Sequence, residues 1–237
     1  MTLHHLATFG ITNSSGLDPQ ANLTMCMGHN NPDEIPITTN SIFENYLKDK
    51  TMDKKDYILE VEGCDLIPSS ILLAGVEPQI INAYSREYIL KAFITEIADD
   101  YDYILIDCMP SLGMLTINAL VAATDILIPM QAHYLSAKGL EMLLTSVSKI
   151  RKSLNPQLRL MGILLTMYNE RLNFNKSMLA SITESYGKHI NIFENKIPHS
   201  VRAVENTAAG ESLFLYDPKC KVALAYEAFT KEVITNA

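Results

Sequence analysis

Short apolar runs bounded by polar or turn residues recur along this chain, each followed by a stretch with helical periodicity, and no other feature limits the fold so strongly. The runs are Asp65-Leu66-Ile67-Pro68, Tyr103-Ile104-Leu105-Ile106, Ile126-Leu127-Ile128-Pro129 and Leu160 to Thr166, each of strand length. Between them, Ser85 to Ala98 places Ile89, Leu90, Phe93, Ile94 and Ile97 on one helical face, and Ser136 to Leu154 does the same with Leu140, Leu143, Leu144, Val147 and Ile150. Strands alternating with helices predict an α/β fold: a mostly parallel sheet flanked by helices on both faces, with ligands bound at the carboxyl ends of the strands. Asp217 to Ala237 reads as a closing helix with Val222, Ala225, Tyr226, Phe229 and Val233 on its apolar face.

Composition narrows what such a fold can do. At 237 residues and 48% hydrophobic, the chain can bury a sizeable core in one α/β domain. The apolar stretch from Ile117 to Ile128 is too short and too interrupted to span a bilayer. Met1 to Gly16 has no Lys or Arg to open an export signal, so the cytoplasm is the expected location. Cys26, Cys64, Cys108 and Cys220 lie far apart, without the spacing of a zinc site, a disulfide framework or an iron–sulfur cluster. His4 and His5, adjacent on a strand, would point to opposite faces and make no metal site. The formal charge of -8 repels polyanions on average, so any DNA contact must come from a local basic patch or a face built by dimerisation.

The strongest local feature is Asp102-Tyr103-Ile104-Leu105-Ile106-Asp107, a strand that delivers a carboxylate at its carboxyl end, followed by Cys108-Met109-Pro110-Ser111-Leu112-Gly113. This is a Walker B arrangement, in which Asp107 can hold a magnesium ion through its water shell beside a triphosphate. Taken alone, the same residues also describe a buried strand whose final Asp caps the next turn.

The longer run from Tyr103 to Leu140 resembles the ParA/Soj partition ATPases almost position by position. The matches are Asp107, Pro110 to Gly113, Asn118 to Leu120, Pro129, Gln131, Tyr134, Gly139 and Leu140. Upstream, Leu17 to Asn22 also fits, and downstream Ile197 to Arg202 and Tyr216 to Lys219 do so. The resemblance implies a P-loop NTPase-like fold of the ParA/MinD type. It also implies an ATPase that sandwiches ATP and Mg2+ in a homodimer, binds DNA nonspecifically in that state, associates with the nucleoid and answers to a ParB-type partner. On this resemblance Asp107 is the magnesium-associated carboxylate and Asp18 the switch carboxylate that positions the attacking water. Pro110 and Ser111 belong to a second switch, and Thr166, Met167 and Pro198 line the adenine pocket. Arg202, Lys219 and Lys221 are the DNA candidates, with Lys196, Lys138 and Arg171 behind them.

One part of the family pattern does not occur in these 237 residues. Members begin with a strand, a KGGxGKT loop, a helix and a second strand that ends in the Asp-Pro-Gln turn. Here Gly187-Lys188 is followed by His189 and has no Gly at the required upstream spacing. Residues 1–16 are therefore expected to be an atypical segment replacing that unit, ahead of a single ATPase domain over 17–237, with both strands and the helix missing. Thr12 to Gly16 carries residues that favour turns; for the otherwise unpaired edge beside Ile104 and Ile106 the candidates are a replacement strand from Leu3 to Ile11, in which His4 and His5 make a poor buried centre, or a partner subunit. A lost loop lysine and loop amides would each give up about 1.5–3 kcal/mol of charge-assisted hydrogen bonding. Losing three costs roughly three to six decades of ATP affinity. The alternatives are a nucleotide-independent binding or dimerisation module or inactive remnant, and a MinD-like positioning ATPase. Against the last, Lys231 is the only basic side chain in the final ten positions, too few for a membrane-binding helix.

Overall fold

A computed structural model of the chain describes residues 12–61 and 63–236. These divide into two compact units: one runs to Ala123 and adds Asn206–Ser212, and the other holds Thr124–Glu205 and the residues from Leu213 onward.

The first unit is built on a sheet of β1 (Thr12–Leu17), β2 (Leu59–Val61), β3 (Cys64–Ile67) and β4 (Tyr103–Cys108) in the order β2-β3-β1-β4. Strand β1 runs parallel to both β3 and β4, and β2 pairs antiparallel to β3. Around it lie α1 (Asn22–Cys26), α2 (Thr39–Leu47), α3 (Val76–Ile80), α4 (Ile89–Ile97) and α5 (Met114–Ala122). Helix α2 begins where Thr38 and Ser41 form a reciprocal capping box. Helix α4 starts four residues later than its periodicity suggests. Ser85 takes a left-handed φ of 49°, and the Asn118 side chain fixes the approach by donating to the Arg86 carbonyl and accepting from the Leu90 N–H. The core joins Leu17, Phe43, Leu73, Ile80, Leu90 and Leu115. A second cluster holds Ile42, Ile67, Ile97 and the edge-to-face pair Tyr57–Phe93, each large side chain contributing about 1.5–3 kcal/mol by burial.

Two expectations are corrected here. Thr12 to Gly16 is not a turn region: together with Leu17 it forms β1, with all six residues buried. The strand that ends in the Asp18-Pro19-Gln20 turn is therefore present, although it was expected to be missing. Its position explains this, because ladder hydrogen bonds on both edges hold the backbone extended whatever the side-chain propensity. Small residues suit the site: a Cβ at Gly16 would lie 3.0 Å from the Ser69 Cβ, and Thr39 donates to the Gly16 carbonyl at 2.7 Å. The cost is polar: among the described residues the Asn13 amide and the Ser15 hydroxyl are buried without a hydrogen bond of ordinary length, although Asn13 lies near enough to the Tyr101 hydroxyl to act on it. The suggested strand from Leu3 to Ile11 lies outside the described residues. Among those described, β4 pairs with β1 along one edge and with no strand along the other, and its residues are half-buried to exposed.

The second unit contains the parallel pair β5 (Asp125–Gln131) and β6 (Arg159–Thr166) with α6 (Tyr134–Ser153), α7 (Asn173–Tyr186), most of α8 (Val201–Ala209), α9 (Leu213–Tyr216) and α10 (Lys221–Asn236). A shift in the β5–β6 register falls at Gly162, whose φ of 156° and approach to Asn191 leave no room for a side chain. Phe193 and Phe229 stack edge to face at 4.9 Å, tying α10 to the segment after α7. Helix α10 begins after Pro218, four residues later than expected, and buries Val222, Tyr226, Phe229 and Val233. Among the described residues, no helix is long and apolar enough to cross a membrane, and no group of three His, Cys, Asp or Glu side chains is placed to hold a metal.

Candidate functional site

In the β1–β4 ladder Gly16 stands opposite Asp107 and Leu17 opposite Cys108. The chain leaving β1 therefore carries Asp18 past the carboxyl end of the strand that ends in Asp107. The turn is tight. Asp18 Oδ1 accepts from the Gln20 N–H at 2.9 Å, its carbonyl accepts from Ala21 N–H and from Ser69 Oγ at 2.6 Å, and Ala21 adopts a left-handed φ of 53°.

The Asp18 charge reaches Asp107. Enclosure by protein raises the Asp107 carboxyl above the ordinary aspartate range, and the Asp18 charge adds to the rise. Cys108 next to it is exposed by surface area, yet the protein packed around the thiol still desolvates it. That burial, reinforced by Asp107 and Asp18, pushes the thiol up to about 12. No ion pair engages Asp18 or Asp107 among the described residues. An oxygen-only pair of this kind suits a hard, hydrated divalent cation rather than zinc.

After Asp107 the chain turns through Pro110 and Ser111, both exposed. Thr116 Oγ1 donates to the Ser111 carbonyl at 2.6 Å, closing the turn onto the first turn of α5. Glu77 of α3 reaches the same place, its Oε1 accepting from the Leu115 N–H at 3.1 Å. Sequence reasoning missed Glu77, for nothing in the spacing of residues 77 and 113 signals the contact.

Thr166, Met167 and Pro198 come together in the second unit, beyond the end of β6. Thr166 donates to the Met130 carbonyl at 3.4 Å, and Met167 is exposed with a left-handed φ of 50°. Tyr168 bridges to Pro198, its N–H donating to the Ile197 carbonyl at 2.9 Å. Of the basic candidates, Arg202 is committed to acidic neighbours, lying 3.3 Å from Glu205 and 3.9 Å from Asp217. Lys138, Lys219 and Lys221 are exposed. Arg171 and Lys196 instead line an open depression of about 470 Å³ with Lys176, Tyr168, Glu170 and Leu179. Lys196 Nζ sits 5.7 Å from the Tyr168 ring centroid. Lys176 and Tyr168 were not singled out by sequence, because their clustering depends on the turn between β6 and α7.

Comparison with known proteins gives this arrangement a context. Residues 15–160 match an AAA domain family. The chain is 36% identical over 225 residues to the sporulation initiation inhibitor protein Soj of Bacillus subtilis, covering 93% of this chain and 85% of that protein. It is 35% identical over 218 residues to the chromosome partitioning protein ParA of Myxococcus xanthus, covering 92% and 75%. Among solved structures, a cobyrinic acid a,c-diamide synthase from Mycobacterium smegmatis with bound ADP and magnesium superposes with a TM-score of 0.83 at 28% identity, covering 98% of this chain and 85% of the other. A plasmid partition protein from Borrelia burgdorferi, at 21% identity and a TM-score of 0.75 over 100% of this chain and 90% of that one, shares the fold.

Proposed function

Because this chain belongs to the Soj/ParA family of P-loop-type ATPases, we propose that it serves ParA-type partitioning of a plasmid or chromosome, with its ATP chemistry impaired. The observation that carries this reading is the placement of Asp18 and Asp107 at the ends of adjacent parallel strands, followed by the Pro110–Gly113 turn. In this reading Asp107 holds magnesium through its water shell, and Asp18 orients the attacking water. When bound, magnesium–ATP supplies the electrophilic phosphorus and the charge neutralisation of phosphoryl transfer. The residues in hand fit the cation better than the triphosphate. Two carboxylates with no ion-pair partner among the described residues favour a divalent ion, but these 237 residues contain no GxxxxGK[ST] pattern to cradle phosphates. Thr166, Met167 and Pro198 are assigned to the adenine.

DNA is bound nonspecifically by the dimer, through Lys219, Lys221 and the Arg171–Lys176–Lys196 cluster, with Arg202 neutralised by Glu205 and Asp217. A ParB-type protein is the partner, and the working location is the nucleoid. A second reading, a nucleotide-independent binding module or inactive remnant, draws on the buried Asn13 and Ser15 of the central strand, whose side chains make no hydrogen bond of ordinary length among the described residues.

The test is a DNA-retention assay at low salt, run with a phosphate-release assay on wild type and Asp18→Ala. Expected is DNA retention that grows with protein concentration, with phosphate release near background in both proteins. Rapid magnesium-dependent release lost in Asp18→Ala would show an intact ATPase. Absence of DNA retention would favour the remnant.

A further inference from the structure

Gly113 has an ordinary backbone, with φ -78° and ψ -176°, so its conformation does not call for glycine. What does is Glu77. A Cβ built on Gly113 would clash with the Glu77 carboxylate, overlapping Oε1 and lying 2.9 Å from Cδ and 3.0 Å from Oε2, so the Glu77 side chain would have to leave its place. The same carboxylate accepts from the Leu115 N–H at 3.1 Å, at the start of a helix whose own N-cap residue offers no side chain. Glu77 thus supplies from another helix the acceptor that an Asp or Ser would normally give locally, and a negative charge there is favoured by the helix dipole. Further along, Asn118 ties α5 to the Arg86–Leu90 segment. The helix is therefore anchored at its middle by Asn118 and at its entry by Glu77.

The turn that enters this helix begins three residues after Asp107. It is exposed from Pro110 to Leu112 and closed by Thr116 on Ser111. Any shift of the turn toward or away from Asp107 must carry Gly113 past the Glu77 carboxylate or break its bond to Leu115.

We propose that Glu77 is a positioning residue: from α3 it caps α5 and latches the Pro110–Gly113 turn at a fixed distance from Asp107. It touches no reacting atom and acts through the turn. Only the nucleotide measurement below rests on the function proposed above.

The experiment is amide hydrogen exchange by NMR on the full chain, comparing wild type, Glu77→Ala and Glu77→Gln, with Gly113→Ala alone and combined with Glu77→Ala. Losing a charged acceptor should speed exchange at the Leu115 amide by about tenfold or more in Glu77→Ala. Glu77→Gln, which keeps an acceptor of the same length, should stay within about threefold of wild type, and amides of β6 should not change in either. Gly113→Ala should lower the melting temperature with Glu77 in place, by displacing the Glu77 carboxylate from the Leu115 N–H, and should cost clearly less in the Glu77→Ala background, where that bond is already gone. The proposal is overturned if Leu115 exchange in Glu77→Ala stays within about twofold of wild type, or if Gly113→Ala costs as much stability in the Glu77→Ala background as it does with Glu77 in place. Should Gly113→Ala fail to fold, the Glu77→Gln against Glu77→Ala comparison decides alone. Adding magnesium–AMPPNP to the same samples separates the two claims. No perturbation of residues 107–116 in wild type counts against nucleotide binding at this site, and the exchange data still judge the latch.

Discussion

Gly16 and Asp107 face each other across the β1–β4 ladder, and this pairing brings Asp18 alongside Asp107. The Asp18 charge is one of the causes that hold the Asp107 carboxyl above its ordinary range, after burial.

Removing that charge should release part of the shift. In Asp18→Asn the Asp107 carboxyl should titrate at lower pH than in wild type, read by carbon NMR of the side-chain carboxyl. An acid whose pKa is raised on folding binds its proton more tightly in the folded state, so its contribution is fully present below the ordinary aspartate range and is lost as pH rises through the raised value. At neutral pH the ionised Asp107 is a net cost, and Asp107→Asn should raise the melting temperature, by about 2 °C given its partial exposure. A lower melting temperature would contradict this.

The buried polar groups of β1 make a second prediction. Among the described residues Asn13 and Ser15 make no side-chain hydrogen bond of ordinary length, so replacing Ser15 by Ala should stabilise the fold by about 1 kcal/mol, and Asn13 by Val by about 1–3 kcal/mol. Urea unfolding measures both. Destabilisation by either substitution would mean that the side chain is satisfied after all.

Cys108 should be a sluggish nucleophile despite its exposure. With its thiol pushed up to about 12, alkylation by iodoacetamide at pH 8 should run well over tenfold slower than for an ordinary exposed thiol. The rate should keep climbing with pH beyond the range where ordinary thiols level off. Neutralising Asp18 should speed it, and a rate equal to that of a free cysteine would refute the assignment.

On DNA, exposed lysines and an ion-paired arginine should behave differently. Lys219→Ala and Lys221→Ala should each weaken retention across unrelated sequences and reduce the log–log salt slope by about 1. Arg202→Ala should change the slope less, because its guanidinium is engaged with Glu205 and Asp217. Equal slopes for all three would overturn the distinction.

The parallel strands and their helices were legible because burial and periodicity speak through side chains: β3, β4, β5 and β6 fall where the apolar runs lie, shifted by no more than two residues at either end. Asp107 was legible for the same reason, at the end of the β4 apolar run, whereas Asp18 was picked out only by the family resemblance, just after a strand the side chains do not announce. Strand β1 was not legible, since Thr12 to Gly16 is polar and turn-prone and becomes a strand only because β3 and β4 flank it. Contacts between distant helices, such as Glu77 on Leu115, and the neutralisation of Arg202 by Asp217 leave no periodic signal, and only the folded chain reveals them.

The most direct test of the central claim is isothermal titration of the full chain with ATP and magnesium. The proposed acid pair, with no GxxxxGK[ST] pattern in these 237 residues, predicts no saturable heat at micromolar ATP, with any binding appearing only at about millimolar concentration or weaker. Saturable micromolar binding, with magnesium-dependent turnover abolished by Asp18→Ala, would contradict it.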